Sequence, residues 1–129
     1  MKKLLVFFVL ACALMVLFSC SNNGGGGGPE FVGTWSQTGG TTETLVFTAT
    51  TLSITDTGST VGTMTLAFTS VDESAKHILT SVTSATGFYA SLVGHVYYLT
   101  YSISGNSLFF YVSQATYPAS ALWGPYIRQ

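Results

Sequence analysis

The sequence predicts an all-β domain: a small antiparallel meander of about eight strands, closed or nearly closed into a barrel. Three observations carry this. Apolar and polar residues alternate with a period of two through most of the chain beyond Phe31, the mark of strands with one buried face. Short turn-forming clusters separate these stretches, which suits sequential hairpins without crossover helices. No downstream segment sustains a 3.6-residue apolar period long enough for a substantial helix. Only 7% of residues are charged, so strand edges are poorly defended, and closure removes edges altogether. Eight such strands enclose an interior that holds side chains or one small ligand. An open sandwich is the alternative architecture.

Met1-Lys2-Lys3 is a basic start, and Leu4 to Phe18 carry no charge. Ser19 and Cys20 follow, completing the basic, apolar and small-residue grammar of an export segment. Fifteen helical residues span roughly 22 Å, short of the ~30 Å hydrocarbon core, which disfavours a membrane span. Leu17-Phe18-Ser19-Cys20 resembles the bacterial lipobox, with Leu17 and Ser19 matching and Phe18 larger than usual. The resemblance implies cleavage before Cys20, loss of Cys12 with the signal and triple acylation of Cys20, a membrane anchor in which two or more chains hold firmly. Ser21 after the cysteine implies the outer membrane. Residues 1–19 are thus expected to be a lipoprotein signal peptide and 20–29 a lipidated cysteine with a tether. The tether contains five consecutive glycines, Gly24 to Gly28, and eight such residues reach about 16 Å on average and at most about 28 Å. A phosphate-cradling loop needs a strand before the glycines, a helix after them and usually a lysine, and none is present.

Residues 30–129 are expected to be the barrel domain. Its charged groups are Glu30, Glu43, Asp56, Asp72 and Glu73 against Lys76 and Arg128, a net charge of −3. No basic patch exists, which argues against nucleic acid as a partner. The predicted strands cover 31–37, 44–50 and 51–55, then 63–69 beyond the Asp56-Thr-Gly-Ser59 turn. Further strands are read at 76–84, 95–104 and, past the Gly105-Asn106 turn, 108–113, with a last short strand at 125–128. Ala119 to Trp123 is read as a short helical turn.

Phe31-Val-Gly-Thr-Trp35 places Gly33-x-Trp35 at the opening of a small β domain, and Tyr126-Ile-Arg128 places an arginine in its last strand. The pair resembles the lipocalin-like (calycin) barrels, where a tryptophan plugs one barrel end and a basic residue packs across it. The resemblance implies contact between Trp35 and Arg128, a guanidinium over an indole, and an interior that takes a small apolar ligand. The family's middle Thr-Asp-Tyr motif is absent and no helix follows the barrel.

Candidate chemistry is sparse. Asp56-Thr-Gly-Ser59 spells the aspartic-protease signature, and Leu92-Val-Gly94 mimics a second element of those enzymes. Only about 36 residues separate the two, too few for that fold, and Asp-Thr-Gly-Ser is ordinary turn chemistry. His77 and His95 lack partners at metal-ligand spacing. Asp72-Glu73 reads as a solvated turn. The expectation is therefore a non-enzymatic envelope lipoprotein with no cofactor and no metal. It would bind a small apolar ligand, with Phe47, Phe68, Leu99 and Phe110 as candidate lining residues. The alternative is a surface-interaction protein with a solid barrel and functional loops, to which the aromatic-rich stretches 97–101 and 109–111 would contribute. A peptidase using Asp56 is the remote reading.

Overall fold

The computed structural model describes residues 28–37 and 42–129. The predicted signal peptide, Cys20 and the tether up to residue 27 lie outside the described residues. The strands are β1 (Gly33–Gln37), β2 (Glu43–Phe47), β3 (Thr51–Asp56), β4 (Gly62–Asp72), β5 (His77–Ala85), β6 (Val96–Ser104), β7 (Ser107–Ser113) and β8 (Trp123–Arg128). They follow one another in chain order around a closed antiparallel barrel, and β8 pairs back onto β1. This is the closed meander rather than the open sandwich. Every strand has two neighbours and the core residues run from Phe31 to Tyr126, so residues 29–129 contain a complete hydrogen-bonded barrel.

Alternation decides which side chains enter the interior. Trp35 on β1, Leu45 and Phe47 on β2, Leu52 and Ile54 on β3, and Met64 and Leu66 on β4 point inward and are buried. Ile78, Thr80 and Val82 do the same on β5, and Leu99 and Tyr101 on β6. Threonines and serines take most outward positions.

The two barrel ends differ. At one end the turns after β2, β4 and β6 are tight. Thr48 Oγ1 accepts from the backbone N–H of Thr50 and Thr51, and the Asp72 carboxylate accepts from Ala75 N–H and Ser74. The chain also enters here, and Phe31 closes the end. It belongs to a turn before β1 rather than to the strand, contrary to the expectation that β1 begins at Phe31, because Val32 N–H bonds back to the Pro29 carbonyl. Its ring lies 5.2 Å from Tyr101, 5.7 Å from Phe47 and 5.9 Å from Phe68. Gly33 then turns the chain into β1 at φ 147°, a backbone conformation that side-chain-bearing residues rarely adopt.

The other end carries the longer connections. A 3₁₀ turn at Gly87–Leu92 was not legible in the sequence. A methyl group on Gly62 would stand 2.5 Å from the Thr86 carbonyl, and one on Gly87 2.2 Å from that of Val61. Two glycines thus let this segment lie directly on the β3–β4 turn. The helical turn expected at 119–123 does not form. Thr100 Oγ1 donates to the Pro118 carbonyl at 2.7 Å and Tyr117 stacks on His77 at 4.1 Å. These contacts hold the connection against the barrel wall, and Trp123 already pairs with Phe110 as the first residue of β8.

Two outcomes follow. Phe31→Ala removes a fully buried aromatic plug and should cost about 3–5 kcal/mol, read as a lowered midpoint in urea unfolding. Tyr101 gives the second. Its hydroxyl is buried with no hydrogen-bond partner, and burial, then the charges of Glu30, Glu73 and Asp72, push its phenol up to about 12 from an ordinary 10.0. Above pH 10 the unfolded chain releases this proton while the folded chain keeps it, so stability should fall as pH rises from about 10 to 12. Tyr101→Phe should leave stability at pH 7 unchanged or raise it by about 1 kcal/mol, since it deletes an unpaired polar group. It should also flatten part of the alkaline slope, with Tyr126, likewise raised, retaining the rest. Urea midpoints at pH 7, 10 and 11 test both statements.

Candidate functional site

At the closed end the first and last strands meet. Trp35 pairs with Arg128 across the β1–β8 ladder, and the guanidinium carbon lies 4.4 Å from the indole centroid. The Trp35 Nε1–H donates to the Phe31 carbonyl at 2.8 Å, and Arg128 Nη2 donates to the Glu30 carbonyl at 2.6 Å. Lys76 bonds the Glu30 carboxylate and lies 5.6 Å from the Tyr101 ring centroid. Both cations of the domain are thus engaged at this end. Trp35 and Arg128 stand 93 positions apart in sequence, and the barrel brings them into contact.

Among the described residues the opposite end is open. A cavity of about 590 Å³ enters the barrel from the side of the longer connections. Leu52, Leu66, Phe110 and Tyr126 line its deep part, and Ile54, Met64 and Val112 its walls. Tyr89, Leu92, Tyr97, Leu122 and Trp123 stand around its mouth. Volumes of ~300–1,000 Å³ with mostly apolar walls and a few convergent polar groups are usual for small-molecule sites. Around the opening, Val61, Phe88, Val93 and Leu122 are exposed, Phe88 to 67% and Leu122 to 66%.

The cavity also has polar lining. Gln37 and Glu43 belong to the lining, and Glu43 shares the inward parity of Leu45 and Phe47. The Tyr126 hydroxyl donates to Glu43 Oε1 at 2.8 Å. Burial, and then this hydrogen bond to a carboxylate, raise the Tyr126 phenol well above its ordinary range, and burial also raises Tyr89. Both therefore remain neutral hydroxyls at physiological pH. Such an interior can bury an apolar body and bond one polar head.

Of Phe47, Phe68, Leu99 and Phe110, the candidates for ligand lining, Phe110 borders this cavity. Phe47 and Phe68 pack on Phe31 at the closed end, where the plug occupies the space a ligand would need. Leu99 is enclosed in the core with no exposed surface. Glu43, Gln37, Tyr126 and the wall residues were missed. Glu43 was the legible one, since it stands two positions before Leu45 and the strand needed only one more residue to place it inside.

The other candidates resolve into local structure. The Asp56 carboxylate accepts from Gly58 N–H at 2.7 Å, from Thr60 and from Thr42. The Thr60 bond first and the Gly58 bond second hold its carboxyl below the usual range, as in a closed Asx turn. His77 stacks on Tyr117, while His95 Nδ1 lies 3.0 Å from Gln114 Nε2 near the mouth. Among the described residues no group of three His, Cys, Asp or Glu side chains could hold a metal ion. Tyr98 meets Tyr117 at 5.1 Å outside the barrel wall, and Tyr111 meets Trp123 at 4.7 Å at the start of β8, so part of the aromatic surplus braces the last connection. No match was found to any family model, to any curated protein or to any solved structure.

Proposed function

We propose that this chain is an envelope lipoprotein, anchored through an acylated Cys20, whose barrel carries a small, mainly apolar ligand. The observation that carries the reading is the half-hollow interior: a plugged end and, opposite it, an apolar cavity of about 590 Å³. The contact of Trp35 with Arg128 at the plugged end supports the lipocalin-like resemblance. In this reading the protein binds and does not catalyse, and Asp56 serves its turn. Gly28 to Phe31 lie at the closed end, so an anchor at Cys20 attaches there and the mouth opens on the opposite side. The Ser21 position favours the outer membrane.

A second reading rests on the exposed apolar residues around the opening. They fit an envelope or surface protein partner bound through loops, with the cavity incidental.

The barrel segment 29–129, purified without detergent, should take up a neutral naphthalene dye saturably at one site, and native mass spectrometry should show any ligand retained from cells. Val112→Trp narrows the cavity and should weaken dye binding at least about tenfold while the domain still unfolds cooperatively. Unsaturable uptake, or affinity untouched by that substitution, would favour the interaction protein. For the anchor, Cys20→Ala should abolish incorporation of an alkyne-tagged palmitate in growing cells, and continued labelling would refute acylation at that position.

A further inference from the structure

The cavity is apolar but not neutral in its surroundings. Strand parity turns Glu43 inward with Leu45 and Phe47, and its carboxylate joins the lining. Directly across the β2–β3 ladder stands Asp56, on the inward parity of Leu52 and Ile54. Among the described residues no lysine or arginine lies at this end. Lys76 and Arg128 are held at the other by Glu30, Tyr101 and Trp35. Residues 38–41, between β1 and β2, are Thr-Gly-Gly-Thr and bring no charge.

The groups facing Glu43 are hydroxyls and rings. Tyr126 donates to its Oε1, and among the described residues this is the carboxylate's one hydrogen bond. The Tyr89 and Tyr97 rings lie around the mouth with Trp123, and His95 lies beside Gln114 and Tyr97. Asp56 is saturated by its own turn and contributes only its field. A carboxylate bonded by one phenol in a mainly apolar cavity, with tyrosine and tryptophan rings around the mouth, suits an organic cation. It offers a charge-assisted bond to an ammonium, and the ring faces attract the same charge. An anionic head group would meet two carboxylates with no lysine or arginine beside them among the described residues.

We propose that the ligand of this cavity is a cationic amphiphile, an alkyl or aryl amine whose ammonium sits at Glu43 and whose apolar body lies along Leu52, Leu66 and Phe110. This rests on the carrier reading and specifies its ligand.

The test uses three ten-carbon probes on the barrel segment, by titration calorimetry at pH 7 and low salt: decylamine, decanol and decanoate. At that pH the amine is protonated and the acid ionised. Decylamine should bind about tenfold more tightly than decanol, and decanoate should be the weakest. Glu43→Gln should bring the amine within about twofold of the alcohol. Gln37→Lys, which leaves Glu43 in place and supplies an internal cation beside it, should do the same, so a folding defect in one variant does not decide the outcome. Decylamine no tighter than decanol, or an unchanged gap in both variants, overturns the cationic ligand and leaves the carrier standing. If none of the three probes binds, the carrier reading fails and the cationic ligand with it.

Discussion

The hydrogen bond from the Trp35 indole to the Phe31 carbonyl fixes the rest of the molecule. Phe31 precedes the first strand, so nothing in the β ladder itself holds it inside the barrel. The indole N–H draws its carbonyl in, Arg128 covers the indole and ties the Glu30 carbonyl beside it, and the Phe31 ring is left no place but the interior. The same cluster joins the last strand to the first, the one pairing whose partners are far apart in sequence and which therefore carries the largest loop-closure cost. A stacked guanidinium is suited to this, because its planar face and its N–H fork act at once.

Filling one end has a consequence for the other. Phe31, Phe47, Phe68 and Tyr101 concentrate the large rings near the plug, whereas Ile54, Met64 and Val112 toward the opening are narrower. Phe110 and Tyr126 also point inward, yet they leave the space beyond the plug unfilled. The choice between a solid and a hollow barrel is therefore resolved along the axis, with each description correct for one half. Charge divides in the same way, since the cations that complete the plug are absent from the mouth among the described residues.

The architecture was legible because alternation is a local property. Met64 and Leu66, or Leu99 and Tyr101, declare the inner face within a few residues, and Gly105-Asn106 marks its turn. Closure was legible through Trp35 and Arg128 taken together. The position of the cavity was not. Phe47 and Phe110 look equivalent in sequence, both being inward phenylalanines on strands. What separates them is Phe31, whose ring reaches Phe47 only because the chain turns back at Pro29–Val32. The 3₁₀ turn at Gly87–Leu92 escaped for a related reason. It has no buried residue and no side-chain cap, and it exists because Gly62 and Gly87 permit two backbone segments to touch. Contacts between distant segments decided each of these points.

Glu43 shows the cost of such an interior most clearly. Like charges set directly opposite in a ladder are destabilising, and Glu43 faces Asp56 in that way. Asp56 is compensated, since Gly58 and Thr60 bond its carboxylate and lower its proton affinity. Glu43 has the Tyr126 hydroxyl and otherwise stands with Gln37 in a mainly apolar lining. A threonine or leucine at this position would satisfy both the strand and the core at lower cost. A positive charge placed beside it in the cavity would offset the repulsion from Asp56.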